Sequence, residues 1–332
     1  MKIAVLGNGG FGTALSIVAQ EAGHQVWQWG HDANYTAQMS ETRRNPRYLP
    51  EIHIPDAIQI TSDGAAALSG AEAVLMAVPT QHIRGVMTDL VSFVASGTVV
   101  ISLAKGLEQG TEQRPSQVLD ELLEGRCPVQ VLSGPSHAEE VALSLPTTVV
   151  LAGSDAALVE RMQSSLSTAN FRIYGNSDLL GVELCGALKN VMALAAGMAQ
   201  GYGLGDNAKA AILSRGIVEM SRYGMAEGAV MSTFFGLAGM GDLAVTAFSQ
   251  HGRNRSFGAR IGAGETLEEI LESTHKVAEG VWTSRVVRAR AGQLGVEMPI
   301  CDAVASVLFD GMDFPTAIRS LMARDRKDEI LS

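Results

Sequence analysis

The sequence predicts an α/β, doubly wound sheet domain followed by an all-helical domain, and three observations carry that prediction. Short, near-continuous apolar runs alternate with helical segments from the N-terminus to about residue 176. A glycine-rich stretch, Gly7-Asn8-Gly9-Gly10-Phe11-Gly12, stands between the first of those runs and the first helix. Beyond Gly175 the sequence is helical in character and offers no convincing strand. Strands apolar on both faces belong to parallel sheets covered by helices on each side, which selects the class.

Taken in order, Lys2–Leu6 is a β-type run, and Thr13–Ala22 has helical composition and stops at Gly23, a suitable residue just past a helix end. Gln25–Trp29 is the second strand. Ala73–Val78, ended by Pro79, then Thr98–Leu103, Val129–Leu132 and Thr147–Leu151 continue the sheet, with helices near Ile83–Ala95 and Pro115–Leu123. Helices are expected over Asp178–Gln200, Ala208–Tyr223, Leu267–Glu272, Thr283–Leu294 and Pro299–Phe309. The expected division is 1–176 for the sheet domain and 177–332 for the helical one.

The chain has 332 residues, enough for roughly two domains of ~150. With 46% hydrophobic and 18% charged residues it is globular in composition. The net charge of -10 disfavours a broad electrostatic grip on nucleic acid but leaves room for a small anion held by a few local cations. Three scattered cysteines without a CxxC imply no disulfides and fit a reducing compartment. No signal peptide is apparent, and Glu183, Lys189 and Asn190 interrupt the most membrane-like stretch, Val182–Ala199, so a soluble, cytoplasmic protein is expected.

The glycine stretch matches G-x-G-x-x-G in strand–loop–helix context. Gly7 permits a tight turn, Gly9 lets the backbone approach a pyrophosphate, and Gly12 lets the helix pack close to the sheet. A Rossmann-like domain binding a nicotinamide or flavin dinucleotide follows. At the end of the second strand, His31 and Asp32 give one basic and one acidic residue. Asp32 either binds ribose hydroxyls or caps the next helix, and the choice of NAD or NADP stays open.

Lys105, after the strand Thr98–Leu103, stands where ligands meet the carboxyl ends of such sheets, or is a surface lysine. The run Ser133–Ala138 also follows an apolar strand. Lys189-Asn190 is the sharper signal, because it lies in a segment apolar on almost every face, where burying both residues is costly without partners. Desolvation makes such a lysine suited to acid–base work. Lys209, with Asp206 preceding it, reads as an ordinary ion pair. Asp242, in Gly239-Met240-Gly241-Asp242-Leu243 with Thr246 a turn later, either holds a lysine or caps a helix. Gly252–Gly258 is the densest basic cluster. Arginine forks and amides at a helix start suit a phosphate dianion, and a solvated loop is the alternative. The seven histidines show no metal-binding spacing, so no metal is expected.

With these residues in hand, the chain resembles the bacterial-type NAD(P)-dependent glycerol-3-phosphate dehydrogenases along nearly its whole length. The resemblance rests on GNGGFGTAL, NPRYLP (Asn45–Pro50), AVPTQ (Ala77–Gln81), AKGLE (Ala104–Glu108), SGPSHAEEV, ELCGALKNVMALAAG, LAGMGDL, GRNRSFG and VAEGV (Val277–Val281). It implies reversible, NAD(P)H-dependent reduction of dihydroxyacetone phosphate for glycerophospholipid synthesis, and a homodimer. It implies cofactor contacts at Gly7, Gly9, Gly10, Phe11, Gly12, His31, Lys105, Ala138, Arg253, Val277 and Glu279. Lys189 matches the proton acceptor, and Lys105, Gly134, Ser136, Asp242, Gly252, Arg253 and Asn254 match substrate-binding positions; Asn190, beside Lys189, is expected to steady the substrate oxygen. Two positions depart from the pattern: Gly252, where relatives often carry Ser, and Asp32, where many carry Arg. A ketopantoate reductase or hydroxyacid dehydrogenase type shares the glycine loop and helix-borne lysine, and a non-catalytic dinucleotide sensor shares the loop alone.

Overall fold

The structure is a computed structural model that describes residues 1–249, 252–273, 278–326 and 329. It divides into two compact units, Met1–Val182 and Glu183–Ser332.

The first unit is built on an eight-stranded sheet. Its strands are β1 (Lys2–Leu6), β2 (Gln25–Trp29), β5 (Gln59–Thr61), β6 (Ala73–Met76), β7 (Val99–Ser102), β8 (Val129–Ser133), β9 (Thr147–Ala152) and β10 (Phe171–Asn176). The order is β10-β9-β8-β7-β6-β1-β2-β5, and a separate ribbon pairs β3 (Arg44–Asn45) with β4 (Leu49–His53). Alternate residues of β1 enter opposite cores: Ile3 and Val5 pack on one face, Ala4 and Leu6 on the other. That explains why the central strands lack a polar face.

Two features of the sheet differ from expectation. Strand β9 runs antiparallel to β8, whereas the other pairings in the sheet are parallel. Strands β5 and β10 are edge strands that a search for apolar runs passes over. In β10 the side chains of Phe171 and Ile173 point into the core while Arg172 and Tyr174 face out, so only half its residues are apolar. Helix Ala33–Thr42 starts at Asp32, as one of that residue's two readings held, whereas helix Ala156–Leu166, also started by an aspartate cap, was unexpected.

Among the described residues of the second unit there are helices and no strand. Leu179–Gly201, most of which lies in this unit, is the longest described helix; it is long and apolar enough to cross a membrane, but 89% of its most apolar 18-residue window is buried inside the protein, as befits a core helix. Helix Arg253–Gly262 packs on it backbone to backbone. A Cβ at Gly197 would overlap the Arg255 carbonyl, and one at Gly258 would overlap that of Leu194. Glu219, buried in Asp206–Ala226, accepts the Ile300 and Cys301 amides at 2.8 and 3.3 Å. It thereby caps Pro299–Phe309 from outside that helix. Burial pushes the Glu219 carboxyl up to about 8.

Candidate active site

Strand β1 delivers the chain to Gly7, whose φ of +116° and close approach to Ala77 exclude a side chain; a Cβ would lie 2.8 Å from the Ala77 carbonyl oxygen. A Cβ at Gly12 would overlap the Gly7 carbonyl, so the helix starts hard against the turn. At Gly9 a Cβ would project into open space, which leaves the backbone there accessible to a ligand. Helix Gly10–Glu21 begins with no side-chain cap and no acidic residue in its first turn. Its exposed first-turn dipole suits a pyrophosphate, so the residues present fit a dinucleotide.

A buried polar network sets the shape of this loop, and sequence reasoning did not find it. Asn45 donates from Nδ2 to the Asn8 carbonyl at 3.0 Å and to Thr13 Oγ1 at 2.8 Å. The Asn8 amide donates to Thr36 at 3.1 Å, and Gln28 donates to Thr13 at 2.9 Å. Tyr35 donates to Asn45 Oδ1 at 2.5 Å. Asn45 opens the NPRYLP run, and that is the only signal that marked it.

Asp32 acts as the cap of Ala33–Thr42, its Oδ1 accepting the Tyr35 amide at 3.0 Å. That hydrogen bond, with the Arg47 guanidinium and His31 close by, holds the Asp32 carboxyl below the usual carboxylate range. His31 is exposed beside it, and Phe11 is partly buried against the core.

Lys105 follows β7, and its Nζ donates to the Gly134 carbonyl at 3.0 Å. Gly134 has φ +132°, and Ser136 Oγ donates to the same carbonyl at 2.9 Å. A Cβ at Gly10 would be 3.4 Å from Ala138, so the glycine loop and the Ser133–Ala138 run are neighbours. The loop carrying Lys105 is pinned by residues outside the expected set. Gln81 donates to Leu107 and accepts from the Gln109 amide, at 2.8 and 2.9 Å, while Arg84 holds buried Glu108 at 2.9 Å. The AVPTQ and AKGLE runs thus interlock.

In the second unit Lys189 is 7% exposed. Its Nζ donates to Asp242 Oδ1 at 2.8 Å and to Thr246 Oγ1 at 2.7 Å. Burial disfavours an ammonium, and the carboxylate beside it opposes that penalty. Asp242 follows a π-helical turn, Leu237–Gly241, and opens helix Asp242–Phe248, so Thr246 lies one turn along on the same face. Sequence spacing noted Thr246 but gave it no role.

Gly252 starts helix Arg253–Gly262, and a Cβ there would sit 3.0 Å from the Thr246 carbonyl. The close approach brings this uncapped helix start against Thr246, whose hydroxyl is a partner of Lys189. Arg253 is exposed. Asn254 is buried and its Oδ1 accepts the Gly280 amide at 2.9 Å, tying it to helix Glu279–Leu294. Gly280 itself packs on the Asn190 carbonyl, and buried Asn190 follows Lys189 directly. Arg255 is committed elsewhere, to Ser249 and Gln200 at 2.6 and 2.5 Å. Lys209 pairs with Asp206 at 3.4 Å, the ordinary ion pair expected of it. Glu279 is half-buried at its helix start, and Val277 lies outside the described residues. Among the described residues no three His, Cys, Asp or Glu side chains are grouped to hold a metal.

Comparison with known proteins covers both units. Residues 2–159 match the family model described as NAD-dependent glycerol-3-phosphate dehydrogenase N-terminus, and residues 178–319 match its C-terminus counterpart. A protein of Geobacillus kaustophilus named glycerol-3-phosphate dehydrogenase (NAD(P)+) is 47% identical over 331 residues, covering 99% of this chain and 96% of its own. The crystal structure of glycerol-3-phosphate dehydrogenase from Coxiella burnetii superposes with a TM-score of 0.91 at 35% identity, over 97% of this chain and 99% of that one. A ketopantoate reductase from Ralstonia eutropha shares the fold, with a TM-score of 0.62 at 15% identity over 97% of this chain and 100% of its own.

Proposed function

The chain belongs to the NAD-dependent glycerol-3-phosphate dehydrogenase family, and on that premise we propose that it reversibly reduces dihydroxyacetone phosphate to sn-glycerol 3-phosphate with NADPH or NADH. The observation that carries the chemistry is the buried Lys189 side chain, its Nζ held between Asp242 and Thr246 at 2.8 and 2.7 Å.

When bound, the nicotinamide cofactor supplies the hydride in reduction and accepts it in oxidation. Gly7, Gly9, Gly10, Phe11 and Gly12 hold its pyrophosphate, with His31 toward the adenosine and Lys105, Ala138, Arg253, Val277 and Glu279 as further contacts. Lys189 gives a proton from Nζ to the oxygen on the substrate's second carbon in reduction, and takes it back in oxidation. Asp242 keeps that Nζ charged until transfer, and Thr246 fixes its direction. Asn190 and Lys105 steady the substrate oxygen. Gly252, Arg253 and Asn254 take the phosphate, while Gly134 and Ser136 line the substrate. General acid–base help of this kind contributes ~10²–10⁴-fold, and positioning and electrostatics supply the remainder.

Residues 1–176 form the dinucleotide-binding domain, which also lends Lys105, Gly134 and Ser136 to the substrate, and 177–332 the substrate-binding and catalytic domain, which lends Arg253, Val277 and Glu279 to the cofactor. The working form is a cytoplasmic homodimer feeding glycerophospholipid synthesis. The test follows reduced-nicotinamide absorbance on adding dihydroxyacetone phosphate to NADPH and, separately, NADH. Consumption of either supports the reading. Turnover of ketopantoate instead would replace it, and cofactor binding without turnover of any of these substrates would favour a sensor.

A further inference from the structure

Resting on the dinucleotide-dependent reading above, we propose that Arg47 recognises the 2′-phosphate of NADP, and that Asp32 is a structural cap and not a ribose ligand. A carboxylate at the end of the second strand of such a domain ordinarily accepts the ribose hydroxyls, and an arginine nearby accommodates a 2′-phosphate. Here both oxygens of Asp32 are engaged. Oδ1 accepts the Tyr35 amide at 3.0 Å, and Oδ2 lies 3.5 Å from Arg47 Nη1.

Three arginines stand close together in this segment; two are tied to backbone carbonyls, and the third, Arg47, meets only the Asp32 carboxylate, at 3.5 Å, among the described side chains that pair with it. Arg43 donates to the carbonyls of Ile54, Pro55 and Ile58, and Arg44 to that of Pro50. Among the described residues the Arg47 guanidinium donates to no carbonyl. It lies over the Tyr35 ring, 4.0 Å from the centroid, and the side chain is 59% exposed. A guanidinium held against an aromatic face keeps its planar fork of donors for an anion.

The position of Arg47 is also coupled to the glycine loop. Its backbone amide donates to the Tyr35 hydroxyl at 3.0 Å, Tyr35 donates to Asn45 at 2.5 Å, and Asn45 donates to the Asn8 carbonyl at 3.0 Å. Three hydrogen bonds therefore set the guanidinium relative to the loop that fits the pyrophosphate. The Asp32 charge beside it repels a phosphate, so removing that charge strengthens 2′-phosphate binding.

The test is calorimetric titration with adenosine 2′,5′-bisphosphate and with 5′-AMP, fragments whose binding does not depend on which substrate is reduced. The wild type is expected to prefer the bisphosphate. Arg47→Met, which keeps an apolar chain on Tyr35, weakens the bisphosphate by about 10- to 100-fold and shifts 5′-AMP by less than about threefold. Asp32→Asn, which retains a capping side chain, tightens the bisphosphate. Equal losses for both fragments in Arg47→Met would show a merely structural role. Unchanged bisphosphate binding, or a wild type that binds neither fragment, overturns the proposal outright. If dihydroxyacetone phosphate is not reduced yet the fragments are still discriminated through Arg47, the substrate reading fails and this assignment stands.

Discussion

Replacing Lys189 with Met and Asp242 with Asn, singly and together, separates what the pair does for the fold from what the lysine does for the reaction. The two groups lie 2.8 Å apart, with side chains 8% and 2% exposed. At an effective dielectric constant of about 20 their gross attraction is about 6 kcal/mol, offset by the cost of taking both charges out of water. Removing one partner strands the other charge, so each single variant should lose ~3–5 kcal/mol of stability. The double variant removes both charges and should lose ~2–3 kcal/mol less than the sum of the two single losses, that difference being the coupling of the pair. Activity behaves differently: kcat falls ~10²–10⁴-fold in Lys189→Met and stays down in the double variant, because no proton donor has returned. Urea unfolding followed by circular dichroism gives the stabilities, and NADPH oxidation by dihydroxyacetone phosphate gives kcat. Strictly additive stability losses would refute the buried pair. Near-normal kcat in either protein lacking Lys189 would refute the proton-transfer role.

Three further outcomes follow from the same geometry. Gly7→Ala places a Cβ at φ +116° and 2.8 Å from the Ala77 carbonyl oxygen, so loop strain on the order of 1–3 kcal/mol should weaken NADPH binding about 5- to 100-fold, read by fluorescence titration. Asn45→Ala removes donors to Asn8 and Thr13 and the acceptor of Tyr35, costing ~1–3 kcal/mol of stability in urea and loosening NADPH binding while the Lys189 group is untouched. Glu219 has a folded-state value raised from 4.5 to about 8, so the unfolded chain loses its proton first. Its favourable contribution is full below 4.5 and is lost progressively up to about 8. The stability of Glu219→Gln relative to wild type should therefore rise across that window by a few kcal/mol in thermal or urea unfolding, and a flat difference would contradict the raised value.

The sheet was legible because its central strands are buried on both faces and therefore read as apolar runs, and the helical unit because its longest helix is apolar on almost every face. Edge strands β5 and β10 were not, since a strand with one solvated face carries half the signal. The glycine loop was legible because its requirements, a positive φ at Gly7 and bare backbone contact at Gly12, can be met only by residue type. Lys189 stood out because a charge within an apolar helix is costly wherever the helix lies. Which groups meet that charge is a matter of distance in space. Asp242 and Thr246 lie more than fifty residues from Lys189 in the chain, and only the packing of helices brings their oxygens to its Nζ. The same holds for Asn45 under the glycine loop and for Asp32, whose two readings were equal in sequence until the Tyr35 amide was found on its oxygen. The class of fold, the glycine loop and the unusual lysine could be read along the chain, because each is a local demand on residue type. Tertiary structure alone decided the partners, because hydrogen bonds between distant residues depend on how elements pack and leave no spacing to read.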